Sequence, residues 1–273
     1  MRRRLLKKRR NRPRSFHSAQ AAYFGSPTPL IVRRFLPFLV AATLAASSDA
    51  QVSIGNRLGV GLSHQESDDK ETQKLLEQDQ NVLLGMSTAL CLEVKIKPFI
   101  AVQTEFGITQ KGHQVKEEKQ PGYNRTRLLY ADAALLAKGI IGNGPAKLNI
   151  LAGASFGRGM VGIRRSYIQD TLENIPNSYA EIIDFDEDND LVNPVEWSLI
   201  GGLGASFDLG KSRVFVDGRY VNGLTSYSSD KKQPNGSTLP GIFNRSILIQ
   251  FGYLVQLNDP KSKAPAKPEA PQY

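Results

Sequence analysis

From Val52 to Leu257 the chain runs as alternating apolar and polar stretches whose connections are short and long in strict turn. That regularity limits the available folds more than any single motif does. The alternation predicts eight strands: Val52–Ser63, Val82–Lys95, Phe99–Gln110, Arg127–Ile140, Lys147–Ile163, Glu196–Asp208, Arg213–Ser226 and Arg245–Leu257. Three connections are short, at Lys95–Pro98, Gly142–Ala146 and Leu209–Ser212. Four are long, at His64–Asn81, Lys111–Thr126, Arg164–Val195 and Tyr227–Asn244. In an up-and-down barrel this puts every short turn at one end and every long loop at the other, the asymmetry of outer-membrane barrels. The strands also exceed the roughly 9–11 residues needed to cross the apolar band of a bilayer.

Successive side chains of a strand point to opposite faces, so each run separates two environments. In Phe99–Gln110, one row is Ile100, Val102, Thr104, Phe106 and Ile108; the other is Ala101, Gln103, Glu105, Gly107 and Thr109. The second strand sets Leu84, Met86, Thr88, Leu90, Leu92 and Val94 against Gly85, Ser87, Ala89, Cys91, Glu93 and Lys95. The last sets Ile247, Ile249, Phe251, Tyr253, Val255 and Leu257 against Gln250, Gly252 and Gln256. A long apolar row suits lipid, and a small, polar or ionised row suits a narrow wet lumen. A soluble lipocalin-like calyx that binds a small molecule is the competing reading, and it needs the reverse arrangement. The expected fold is therefore all-β: an eight-stranded antiparallel up-and-down transmembrane β-barrel over residues 51–257. Thr72–Gln80 is a candidate short helix, polar nearly all round.

The net charge of +9 is misleading. Residues 1–50 carry eleven of the 35 basic residues and one of the 26 acidic ones, which leaves 24 basic and 25 acidic residues for the rest. The basic balance is thus no sign of a nucleic-acid partner. The N-terminal segment reads as a signal peptide with a basic extension: Arg33-Arg34, an apolar run from Phe35 to Ala46, then Ser48 and Ala50 ahead of a cut before Gln51. Twelve apolar residues fall short of the roughly 20 a membrane helix needs. Residues 258–273, with four prolines and three lysines, read as a disordered periplasmic tail.

Glu93, Glu105, Asp132, Lys138, Asp217 and Arg219 fall on the predicted lumen rows and form a candidate charge network. Side chains fill the interior of an eight-stranded barrel, so mixed-sign charges there are expected to pair. Trp197, Tyr130, Tyr220, Tyr253 and Phe99 are either interfacial girdle residues or ordinary strand aromatics. Cys91, the only cysteine, is expected to be a small buried filler. His64 and His113 read as solvent-facing. Asp184–Asp190 has acids at alternate positions, but Asn189 and Val195 stand where a calcium loop needs Gly and Glu, so it reads as a solvated acidic loop. No phosphate-binding glycine loop and no His-Glu-x-x-His is present, and the string Gly153-Ala-Ser-Phe-Gly157 lies inside an expected strand with no helix after it, so it makes no Gly-x-Ser-x-Gly elbow. No catalytic, cofactor or metal site is expected, and the chain is not expected to be an enzyme.

Tyr130-Ala-Asp-Ala-Ala-Leu-Leu-Ala-Lys138 resembles the Tyr-Leu-Glu-Ile-Pro-Leu-Leu-Leu-Lys stretch of the PorT-like outer-membrane β-barrel family of Bacteroidetes. Glu105-Phe-Gly-Ile-Thr-Gln-Lys-Gly112 resembles its Glu-x-x-Tyr-x-Gln-Lys-Gly, with Ile108 in place of the aromatic. Leu151-Ala-Gly153 and Arg219-Tyr220 with Gly223-Leu224 are similar to two further strands of that family. The resemblance spans about residues 51–257 and implies a fold and a bacterial outer-membrane location. It supplies no activity. The expected role is structural or interactive at the cell surface, with outer-membrane lipid as partner and envelope or secretion proteins meeting the long loops, which hold Tyr179, Phe185 and Phe243. A small porin-like or secretion-associated transport component is the alternative. The barrel is expected to be a monomer.

Overall fold

The computed structural model describes residues 50–117, 122–169, 176–183, 185, 192–228 and 240–257. The expected signal peptide through residue 49, the expected tail at 258–273 and the acidic run apart from Phe185 lie outside the described residues. The elements in order are β1 (Gln51–Ser67), α1 (Lys70–Asp79), β2 (Gln80–Asn81), β3 (Leu83–Lys97), β4 (Ile100–Glu117), β5 (Gly122–Ile141), β6 (Ala146–Gln169), β7 (Pro176–Ile183), β8 (Val195–Leu209), β9 (Ser212–Gly223) and β10 (Ile242–Gln256).

Eight of these strands close into a ring. Every neighbouring pair is antiparallel, in the circular order β1, β3, β4, β5, β6, β8, β9, β10. The seam is formed by the two ends of the chain: β1 pairs with β10 from Ser53↔Gln256 to Ser67↔Ile242. Closure leaves no unpaired edge, which is the condition for spanning a bilayer with strands. The short turns are tighter than the sequence alone shows. Gly142 and Gly210, with φ of 120° and 69°, take the left-handed backbone that reverses the chain there.

The apolar rows face outward. Leu58, Leu84, Met86, Leu90, Phe106, Leu203, Ile249 and Phe251 are all exposed on the outer surface. The opposite rows are buried in the interior: Ser87, Cys91, Glu93, Gln103, Glu105, Asp217 and Gln250 are all nearly inaccessible. This reverses what a soluble calyx requires, so the small-molecule-binding calyx reading falls. The inner rows are not uniformly polar, however. Leu136, Leu151, Ile200, Val221 and Leu248 pack together inside, and Cys91, Phe215 and Leu254 form a second apolar cluster.

Two strands are additions to the ring. β2 pairs with Gln114–Val115 of β4, and β7 pairs with the outer half of β6 from Gly162↔Ile183 to Gln169↔Pro176. The connection expected at Lys111–Thr126 is mostly not a loop. β4 and β5 continue their register from Lys111↔Leu128 to Glu117↔Gly122 and stand beyond the ring as a ribbon. Tyr123 stacks on Tyr167 of β6, with centroids 5.7 Å apart, and supports it from the next strand. These residues lack an apolar row because both ribbon faces are outside the lipid, so alternation cannot reveal the strand there.

The candidate helix forms as α1. Asp69 caps it, accepting from the Thr72 backbone N–H and the Thr72 hydroxyl, each at 2.8 Å. Those bonds hold the Asp69 carboxyl below its ordinary value of 3.8.

Candidate functional site in the barrel interior

Side chains from all eight ring strands meet in the lumen. At its centre Glu105 of β4 accepts from Arg57 Nε of β1 at 2.8 Å and from both terminal nitrogens of Arg219 of β9 at 2.9 Å. Arg219 also donates to Asp217 at 2.8 Å, and Arg57 donates to Ser87 at 2.6 Å. Space for this cluster comes from glycines on the facing strand. A Cβ at Gly204 would lie 2.3 Å from the Asp217 carboxylate, and one at Gly202 would lie 3.0 Å from Arg219 Cγ.

Nearer the short turns, Glu93 of β3 takes Lys138 Nζ at 2.8 Å and Arg213 Nη1 at 2.5 Å. Arg213 continues to Asp208 at 2.6 Å, and Asp208 pairs with Lys147. Gln103 joins the two groups: it donates to Glu105 at 2.6 Å and accepts from Lys138 at 3.5 Å. A third group lies toward the outer mouth, where Lys111 meets Glu196 at 2.6 Å and Glu196 accepts from Asn244 at 2.7 Å. Lys111 also sits over the Tyr130 ring, 5.1 Å from its centroid.

Of the six residues singled out from sequence, Glu93 and Lys138 join one group, and Glu105, Asp217 and Arg219 join the other. Asp132 stands apart. It lies on the inner face, its Oδ1 has no hydrogen-bond partner, and that atom occupies the space a Cβ at Gly157 would need. Arg57, Lys111, Glu196, Arg213, Asp208 and Lys147 were not in the sequence-derived set. A signal for them existed, since Lys111 is two residues beyond Thr109, Glu196 two before Ser198, and Arg213 four before Asp217, each on an inward row.

Burial corrects several smaller expectations. Tyr130 is 1% exposed and lies inside, so it belongs to no girdle; Trp197, Tyr220, Tyr253 and Phe99 do face outward. His113 is half-buried and its Nδ1 is inaccessible without a partner, unlike the solvent-facing side chain expected. Phe185, expected on a loop surface, is buried: it packs on Gly159 and on Tyr130 with Leu128 and Ile183. A Cβ at position 159 would lie 2.6 Å from the Phe185 ring. Tyr179 stays exposed, and Phe243 lies under the Arg245 guanidinium. Cys91 is buried. Among the described residues no group of three or more His, Cys, Asp or Glu side chains is placed to hold a metal.

The chain is similar in structure to three outer-membrane proteins at low identity. Ail, the attachment invasion locus protein of Yersinia pestis, is 14% identical, with 75% of this chain and 99% of that one covered and a TM-score of 0.34. OprG of Pseudomonas aeruginosa is 9% identical, with 77% and 97% covered and a TM-score of 0.44. The outer membrane protease OmpT of Escherichia coli is 12% identical, with 76% and 97% covered and a TM-score of 0.36. No curated protein matches the chain in sequence. The family model described as outer membrane protein beta-barrel domain matches residues 45–229. An eight-stranded ring with lipid-facing apolar rows and a charged, filled interior accords with that match: the chain belongs to the outer membrane protein beta-barrel domain family and resides in the bacterial outer membrane.

Proposed function

We propose that the protein is a surface interaction barrel that works through its outer ribbon and loops and carries out no catalysis. The observation that carries this reading is the filled lumen. Glu105, Arg57, Arg219, Leu136 and Leu151 occupy the interior, and Phe185 is buried against Leu128 and Tyr130. Among the described residues, α1 and the outer extension of β4, β5 and β6, with β7 on the far edge of β6, stand available to a partner outside the membrane. The buried carboxylates Glu93, Glu105 and Glu196 are each held by lysine or arginine, an arrangement suited to packing rather than to proton transfer or nucleophile activation. The partners are outer-membrane lipid and envelope proteins, the working unit is a monomer, and residues 1–50 direct export and are then removed.

An epitope inserted between residues 117 and 122 tests the reading. Antibody labelling of intact cells is expected; labelling only after lysis contradicts it.

A second reading has its own observation. Both polar atoms of Asn149 and of Gln250, together with Asp132 Oδ1, are buried in the lumen without protein partners. Such a series suits a narrow path for water or protons, or a small porin-like component. Planar-bilayer recording separates the two: a quiet membrane favours the interaction role, and stable openings favour transport.

The more specific placement we propose is the PorT-like branch of Bacteroidetes. It rests on Tyr130, Leu135, Leu136 and Lys138 and on Glu105, Gln110, Lys111 and Gly112. A secretion-associated role is the function that goes with that branch. Secretion components encoded beside the gene support it, and a neighbourhood without them counts against it.

A further inference from the structure

The outer face of β4, β5 and β6 changes character at the upper edge of the apolar band. Leu129 and Val161 are paired outward-facing residues at the edge. One outward position higher come Arg127 and Ile163, and one higher again Arg125 and Arg165, which are direct cross-strand partners. The stacked pair Tyr123 and Tyr167 closes the series above them. Arg127 and Arg165 are exposed, Arg125 half-exposed. These residues and Gln110 line a cleft of about 200 Å³.

Like charges directly opposite one another across a strand pair destabilise it. Neither Arg127 nor Arg165 has an ion pair among the described residues, although the adjacent Arg164 pairs with Glu181 at 3.2 Å. Arg125 is held in place, donating from Nε to Gln114 at 2.9 Å and lying 5.3 Å from the Tyr123 centroid. Among the described residues its terminal nitrogens have no acceptor. Guanidinium groups bind phosphate through paired donors, and basic clusters at the membrane surface bind anionic head groups. Two outward steps of a strand are only about 13 Å, so the arginines stand at head-group height above the last apolar residues. Below them the outward row of β5 is small at Ala131 and Ala133, flanked by Ile108 and Phe106 of β4.

We propose that this cleft is a binding site for the phosphorylated head group of an outer-leaflet glycolipid, with the acyl chains lying along the outer face of β5 below it. The ligand has two chemistries, and the surface has both in the matching order: arginines above, apolar side chains beneath. The site goes beyond the interaction role proposed above and depends only on the outer-membrane placement with the long connections outward.

Native mass spectrometry of the full-length protein in detergent, titrated with diphosphoryl lipid A and with the same lipid dephosphorylated, tests the site. Wild type is expected to bind one diphosphoryl molecule with at least a tenfold preference. Arg127→Gln combined with Arg165→Gln is expected to lose that preference, and Lys211→Gln, at the opposite end, to keep it. Heat-dependent gel mobility checks that each variant is folded. Equal binding of the two lipids by wild type overturns the proposal even if the double variant does not fold. So does an undiminished preference in a folded double variant. Displacement of the lipid by inorganic phosphate at equal concentration would make this an anion site without selection for lipid, and would also overturn it.

Discussion

Arg219 grips Glu105 with two parallel hydrogen bonds, Nη1 to Oε2 and Nη2 to Oε1, both 2.9 Å long. The two residues are 114 positions apart in sequence and come from opposite parts of the ring. Their contact fixes β9 against β4 through the lumen, where no backbone ladder joins those strands. Arg57 adds a third strand to the same carboxylate.

Glu105→Ala would leave the Arg57 guanidinium buried without a carboxylate and Arg219 with Asp217 alone. Removing one partner of a buried pair costs about 3–5 kcal/mol. Urea unfolding in lipid vesicles, followed by the fluorescence of Trp197, the only tryptophan, is expected to show a loss of that size. Arg219→Lys is expected to lose part of it, because an ammonium cannot make the two parallel bonds. An unchanged midpoint for Glu105→Ala would mean the pair carries no structural role.

Gly252 and Phe215 are fitted to one another. A Cβ at position 252 would lie 2.2 Å from Phe215 Cζ, and that ring also lies under Lys138 at 5.3 Å. Gly252→Ala is expected to destabilise by about 1–3 kcal/mol, the range for overpacking. Adding Phe215→Leu should recover part of the loss. Additive losses in the double variant would show that the two sites do not share space.

Phe185 packs against Gly159 and Tyr130, with the Tyr130 and Phe185 centroids 5.9 Å apart. Phe185→Ala is expected to free the β7–β8 connection, raising its cleavage rate by added protease severalfold while the ring stays intact. Unchanged proteolysis would place the anchor elsewhere.

Asp69 lies outside the membrane-spanning strands, so its titration reports on α1 alone. Its hydrogen bonds from Thr72 depress the folded carboxyl below 3.8. A group depressed on folding stabilises above its unfolded value and loses that contribution as pH falls through the folded one. Amide protection in α1 is therefore expected to hold at pH 5 and to fall below pH 3.8, with Asp69→Ala unprotected at both. Equal protection of wild type and variant at pH 5 would contradict the cap.

The ring was legible because lipid and lumen impose opposite demands on neighbouring residues. Leu84, Met86 and Leu90 against Ser87, Cys91 and Glu93 already separate the faces. The family-like residues Glu105, Lys111, Lys138 and Arg219 turn out to be lumen residues, each held by an ion pair. The ribbon was not legible, since Lys111–Glu117 lies beyond the lipid and has no apolar row. Nor was the burial of Phe185, which depends on the chain turning back onto a glycine 26 positions earlier. Tyr130 was readable by parity, because it shares its row with Leu128 and Asp132.

The central claim is that lipid faces the Phe106 row and the lumen holds the Glu105 row. Nitroxide labels on single cysteines, introduced one at a time from Ala101 to Ile108 in a Cys91→Ser background and reconstituted in bilayers, measure it directly. Accessibility to dissolved oxygen should rise and fall with a period of two, highest at Val102, Thr104, Phe106 and Ile108. Maxima at Gln103, Glu105 and Gly107 instead, or no periodicity, would contradict the account.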